Sequence, residues 1–159
     1  MTFVTKNRDP IFLHSTKADL LRGEFSFYAR LYQVELMAWV IMPNHVHMIV
    51  WPQEEKTVSD FLRGVKGHFA KQNGAGSIWQ EGFYDYLIQN EIKLEEKFWY
   101  IARNPIEDKL AGENETYPYL YLNPDYVPPK AGSGDPAYKN LNPDYVPPKA
   151  GSGDPAYKK

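Results

Sequence analysis

Apolar positions along the first 121 residues recur in two periods, near two and near 3.6, and their alternation lays out a mixed α and β domain. Phe3-Val4-Thr5 reads as a short strand, left by the turn Lys6-Asn7-Arg8-Asp9-Pro10. Ser15 stands where an N-cap is expected for a helix over Thr16 to about Arg30. Leu21, Phe25 and Tyr28 fall at i, i+4, i+7 there, and Leu20 widens the stripe. Tyr32 to Ile41 is a long apolar run that reads as strand. Met42-Pro43-Asn44 punctuates it, and His45 to Trp51 forms the next strand, expected antiparallel to the last. Thr57 or Ser59 caps a second helix ending near Asn73, with Val58, Phe61, Leu62, Val65 and Phe69 on its apolar face. Gly74-Ala75-Gly76 stops it.

After the turn Trp79-Gln80-Glu81-Gly82, residues Phe83 to Ile88 read as another strand. Asn90 caps a third helix from Glu91 to about Arg103, striped by Leu94, Phe98 and Ile101. Pro105 is expected to end it, because the residue before a proline is pushed out of the helical region. The order strand, helix, strand, strand, helix, strand, helix is an α+β pattern, and the ferredoxin-like split βαβ sandwich with a largely antiparallel sheet is the expected fold. Residues 122–159 differ in kind. The segment Leu122 to Lys139 recurs unchanged from Leu141 to Lys158, a period of 19 residues rich in Pro, Gly and Ser. Such a tail cannot bury enough surface to offset its ordering entropy, so disorder is expected there.

Composition narrows the classes. The chain has no cysteine, which excludes disulfides and thiolate metal sites. No apolar run approaches the roughly 20 residues of a membrane helix, and the N-terminus lacks a signal-peptide core, so a cytoplasmic protein is the default expectation. Residues 1–121 carry 13 Lys+Arg against 16 Asp+Glu, a net of −3. Any nucleic-acid contact therefore has to come from a local basic surface.

The chemistry-bearing pattern is Met42-Pro43-Asn44-His45-Val46-His47. Two histidines two residues apart on a strand share a face, and Val46 points the other way, into a core. Side by side, two imidazoles suit one metal ion, although a half-exposed strand face explains the pair equally well. The third helix adds Tyr100 and Asn104, four apart and therefore on one side of it. A phenol offers a nucleophile or a ligand, and a neutral amide oxygen is a hard ligand for Mg²⁺ or Mn²⁺. Tyr100 also fits a packed aromatic beside Phe98 and Trp99.

In order along the chain, Phe3 to Arg8, Met42 to His47, Ser59 to Lys66, Trp79 with Phe83-Tyr84-Asp85, Tyr100 to Pro105 and Tyr117-Pro118-Tyr119 resemble the REP-associated tyrosine transposases. These are the single-tyrosine branch of the HUH (histidine, bulky hydrophobic, histidine) endonucleases. The resemblance implies a nuclease and strand-transferase domain over residues 1–121, acting on single-stranded or hairpin-forming palindromic DNA. It makes Tyr100 the nucleophile of a covalent 5′-phosphotyrosine intermediate, and His45, His47 and Asn104 the ligands of a divalent metal, Mg²⁺ or Mn²⁺. Lys6 and Arg8, with Arg63, Lys66 and Lys71 on the second helix, are candidate phosphate contacts. Trp79, Phe83 and Tyr84 are candidate stacking platforms, and as readily core residues. A replication-initiator nickase and a hairpin-binding module that no longer cuts remain alternatives. A monomer and a homodimer are both compatible with the sequence.

Overall fold

The computed structural model describes residues 1–53, 58–74 and 76–126. Its elements are β1 (Thr2–Val4), α1 (Ser15–Leu31), β2 (Val34–Met42), β3 (His45–Pro52), α2 (Val58–Gln72), α3 (Glu91–Glu107) and β4 (Leu120–Leu122), with short 3-10 turns at Lys6–Arg8, Ile11–Leu13 and Pro124–Tyr126. The sheet runs in the order β1-β3-β2-β4 and every neighbouring pair is antiparallel. β1 and β2 are thus parallel with β3 between them, joined over α1, which is the expected split βαβ unit.

Two cores flank this sheet, and β2 serves both. Leu36, Trp39 and Ile41, with Val46 and Met48 of β3, face α1 and α2, joined by Phe25, Phe61 and Phe69. Met37, Ala38, Val40 and Met42, with Ile49, face α3, meeting Phe98, Ile101 and Ala102. Met37 and Ala38 are consecutive yet lie on the same side. The register shift between Leu36 and Ala38 accounts for this: a bulge adds one residue and resets the alternation. With both sides covered, β2 from Leu36 to Met42 loses the polar alternation of a half-exposed strand and reads as an unbroken apolar run. Across the α1–α2 seam, the buried Glu24 carboxylate accepts hydrogen bonds from His68 Nδ1 at 2.8 Å and Gln72 Nε2 at 3.0 Å.

Four expectations are corrected. Ser15 is the first residue of α1, while the cap position is His14, which makes no side-chain cap bond. Phe83 to Ile88 is not a strand. The chain instead lies irregularly along β1 a few residues earlier: Lys6 N–H donates to Ile78 O at 2.8 Å, Gln80 N–H to Val4 O at 2.9 Å, and Thr2 and Tyr84 exchange both backbone bonds at 2.7 and 2.8 Å. The fourth strand is Leu120–Leu122, on the opposite edge beside β2, where Tyr117 hydroxyl also donates to Ile41 O at 2.9 Å. Pro105 does not end α3. It leaves the Ile101 carbonyl without its helical donor, but the ladder resumes, with Asp108 N–H on Asn104 O at 3.0 Å. Pro105 is itself buried, so packing holds the last turn in place. The Asn90 cap is present, its side chain accepting from Lys93 N–H at 2.9 Å. Gly74 follows α2 with φ of 86°, a left-handed value that suits glycine. Of the two caps expected for α2, Ser59 lies inside the helix, which begins at Val58, and Thr57 lies outside the described residues, as does the repeated tail beyond Tyr126. β4 includes Leu122, and Asn123 N–H donates to Met37 O at 2.9 Å.

Candidate active site

His45 and His47 project from β3 on the side that α3 covers, while Val46 is fully buried on the other. Their rings lie 4.7 Å apart at 81°. Tyr100, on α3, brings its ring to 5.1 Å from that of His47, with its hydroxyl 3.4 Å from His47 Nε2. Phe98, Trp99, Ile101 and Ala102 are buried around it, yet Tyr100 is 47% exposed. The helix is anchored by its neighbours, and the phenol is left at the surface beside the imidazoles.

Both imidazoles are held from behind. Asn44 Nδ2 donates to Arg8 O at 3.3 Å, which turns its Oδ1 toward His45 Nδ1 at 2.7 Å. An amide oxygen only accepts, so His45 Nδ1 carries the proton and its Nε2 keeps a free lone pair. Thr2 Oγ lies 2.7 Å from His47 Nδ1. A hydroxyl can donate or accept, so it fixes the ring's orientation rather than its tautomer. β1 is paired so that Thr2 stands opposite His47 and Val4 opposite His45. The 3-10 turn after β1 is bound to the same place: Thr5 hydroxyl is buried between Asp9 O at 2.7 Å and Asn44 O at 2.9 Å. Asn7 and Arg8 both take positive φ there, 56° and 55°, an uncommon backbone for residues with a side chain.

Burial is the main cause that lowers the pKa of both histidines. For His47 the neighbouring His45, the N-terminal ammonium and Lys97 act in the same direction, and its pKa falls to about 3. For His45 the nearby Asp108 charge opposes the burial and Arg8 adds to it. Both rings are therefore neutral near pH 7, the form that binds a metal. Asn104 is 6% exposed, and its Nδ2 donates to Tyr100 O at 2.8 Å. A carbonyl can only accept, so the atom left over is Oδ1, the one a hard cation prefers. Two neutral imidazole nitrogens and an amide oxygen, with no thiolate, fit a divalent ion of the Mn²⁺ or Mg²⁺ kind. Among the described residues no group of three or more His, Asp or Glu side chains clusters as a metal centre, so such an ion would need Asn104 and solvent or substrate oxygens as well.

The expected cations are scattered. Lys6 and Arg8 are exposed in the turn beside Asn44. Arg63, Lys66 and Lys71 ride on α2, which packs on the sheet side opposite the histidines. Arg63 pairs with Asp60 at 3.2 Å, and Lys66 Nζ donates to Gly82 O at 2.7 Å and Gln80 O at 3.4 Å. Arg63, Lys66 and Trp79 line a groove of about 540 Å³ whose lining includes neither histidine nor Tyr100, and Lys71 lies outside it. Trp79 is 7% exposed and donates its indole N–H to Lys66 O at 3.1 Å, so it is core. Tyr84 is exposed, and Phe83 half-buried. Sequence reasoning missed Thr2, Asn44, Lys97 and Asp108. Only Asn44 had a visible signal, its position directly before the first histidine.

An antiparallel sheet over a split βαβ unit, with a histidine pair on its central hairpin and a tyrosine from the covering helix, is the layout of an HUH single-tyrosine domain. The comparisons agree. The family model described as Transposase IS200 like matches residues 1–104, and the chain belongs to that family. The REP-associated tyrosine transposase of Escherichia coli (strain K12) is 28% identical over 115 residues, covering 71% of this chain and 69% of that protein. A putative REP-associated tyrosine transposase of Haemophilus influenzae (strain ATCC 51907 / DSM 11121 / KW20 / Rd) is 23% identical over 126 residues, covering 68% of this chain and 72% of its own. A solved REP-associated tyrosine transposase bound to a REP hairpin superposes with a TM-score of 0.67 at 27% identity, covering 75% of this chain and 72% of that one. Among the described residues no helix is long and apolar enough to cross a membrane.

Proposed function

We propose that this protein is a metal-dependent single-stranded DNA endonuclease and strand transferase that cuts hairpin-forming palindromic DNA through Tyr100. The observation that carries this reading is the exposed Tyr100 hydroxyl 3.4 Å from His47 Nε2, on the face shared by His45. The Tyr100 oxygen attacks phosphorus and forms the P–O bond of a 5′-phosphotyrosine. The bond from phosphorus to the 3′ oxygen breaks, and that oxygen leaves as a hydroxyl after taking a proton. The phenol's own proton goes to solvent or to a neighbouring base. His47, with a pKa near 3, is a poor acceptor for a phenol proton, which favours it as a ligand rather than a general base. His45, His47 and Asn104 would hold the divalent ion, Mg²⁺ or Mn²⁺, which when bound polarises the phosphate and stabilises developing negative charge.

Hairpin DNA as the substrate is supported by the relative that is bound to a REP hairpin. Of the candidate phosphate contacts, Lys6 and Arg8 stand nearest the histidines in the fold, whereas Arg63, Lys66 and Lys71 ride on α2 across the sheet and would reach only a part of the hairpin away from the cut. In this proposal Tyr100 serves the histidines of its own chain, supported by the 3.4 Å approach of its hydroxyl to His47 Nε2, and either a monomer or a homodimer is compatible with it. Incubation with hairpin DNA labelled at its 3′ end plus Mn²⁺ should give a labelled protein–DNA band that survives denaturing electrophoresis. Tyr100→Phe abolishes it. A band that persists in that variant removes Tyr100 as nucleophile, and hairpin binding without cleavage under any divalent ion selects a non-cutting DNA-binding module instead.

A further inference from the structure

Lys97 lies three residues before Tyr100 on α3 and shares its side of the helix. Its ammonium sits 5.2 Å from the ring centroid of Tyr86 and 6.0 Å from that of Tyr100. Tyr86 is 53% exposed. The contrast with the other lysines is informative. Lys93 on the same helix pairs with Glu96 at 2.6 Å, and Lys66 is hydrogen-bonded to carbonyls. Lys97 has no carboxylate within salt-bridge distance among the described residues. Neutral rings hold it by their π-faces, which leaves its N–H donors available. Its charge also reaches His47, where it helps to keep the imidazole neutral.

A single strand presents phosphates along one edge and unpaired bases along the other. A cation between two exposed aromatic rings, with one ring carrying the proposed nucleophile, matches that pattern. It also supplies what the overall charge of residues 1–121 does not, a local positive point at the site. We propose that Lys97 grips a non-bridging oxygen of the phosphate at or beside the cleaved step, and that the Tyr86 ring carries the adjoining unpaired base. This inference rests on the single-strand cleavage reading above, and makes Lys97 and Tyr86 strand-positioning residues of that site.

Binding and cleavage separate the two ideas. In a Tyr100→Phe background, which cannot form the adduct, fluorescence anisotropy of a dye-labelled hairpin oligonucleotide with single-stranded flanks is measured across a salt series. Lys97→Met should weaken binding and reduce the salt slope by about 0.7, the worth of one single-strand phosphate contact. Lys97→Arg should restore both. Tyr86→Leu should weaken binding roughly 5- to 100-fold, as loss of a stacked base does, with the slope unchanged. With Tyr100 present, Lys97→Met should slow adduct formation about 10- to 100-fold, and Lys97→Arg should recover most of it. Lys97 is exposed, so its variants should melt with the parent. An unchanged slope and adduct rate in Lys97→Met overturns the inference, as does a Lys97→Arg variant as impaired as Lys97→Met. If the parent binds but forms no adduct, the cleavage reading fails while the slope still decides Lys97. If the parent does not bind single-stranded DNA, both fall.

Discussion

Gly64 and Gly67 are three residues apart on α2, and the same substitution should move stability in opposite directions. A Cβ built on Gly64 would lie 2.4 and 2.5 Å from Tyr28 Cδ1 and Cε1 and 3.1 Å from Tyr32 Cε2. Ordinary carbon contacts lie near 3.5–4.0 Å, so the overlap is about 1 Å. The Tyr28 ring has little room to retreat, because it is stacked on Tyr32 at 5.9 Å, edge-on to Phe27 at 5.0 Å and faced by His68 at 6.1 Å. Alanine for glycine inside a helix contributes about 1 kcal/mol, whereas overpacking of this kind costs about 1–3 kcal/mol. Taking the upper half of that range for a boxed ring, Gly64→Ala should be destabilised by about 1–2 kcal/mol. A Cβ on Gly67 meets nothing within 4 Å, so Gly67→Ala should gain up to about 1 kcal/mol. Thermal melts followed by circular dichroism read both, at roughly 3–6 °C per kcal/mol for a domain of this size. A Gly64→Ala protein that melts at or above the parent temperature would refute the claim that α1 and α2 approach through this glycine.

Two further outcomes concern the histidine pair. Metal-free His47 should stay neutral down to about pH 3, so its imidazole NMR resonances should not titrate between pH 8 and 5. Its folded pKa lies below the usual 6.5, so between those values the unfolded chain binds more protons and stability falls as pH falls, by up to about 1.4 kcal/mol per pH unit from this group; a normal titration near 6.5 would show the ring is not buried as described. Asn44→Leu and Thr2→Val remove the groups that orient the two rings at 2.7 Å, and calorimetry should show Mn²⁺ affinity reduced about 10- to 100-fold in each, with unchanged affinity counting against His45 and His47 as ligands.

The sequence alone determined the helices, the central hairpin and the facing of the histidine pair, because each is a local periodicity. Alternation along β3 puts His45 and His47 on one side and Val46 on the other, whatever packs above them. The four-residue spacing likewise puts Tyr100 and Asn104 on one side of α3. What the sequence could not determine depends on contacts between distant segments. Whether Phe83 to Ile88 pairs as a strand depends on β1, which offers its edge to Ile78–Tyr84 instead. Leu120–Leu122 becomes a strand because β2 has an open edge beside it. Pro105 stays in a helix because the surrounding core outweighs one lost hydrogen bond. The site shows the same division. The resemblance already paired the histidines with Tyr100, but only the tertiary structure sets the 3.4 Å between His47 and a tyrosine 53 residues away. It alone also places Thr2 and Asn44 behind the rings and leaves Lys97 between two exposed aromatics. Periodicity tells which way a side chain leaves its own element, and packing decides what it meets.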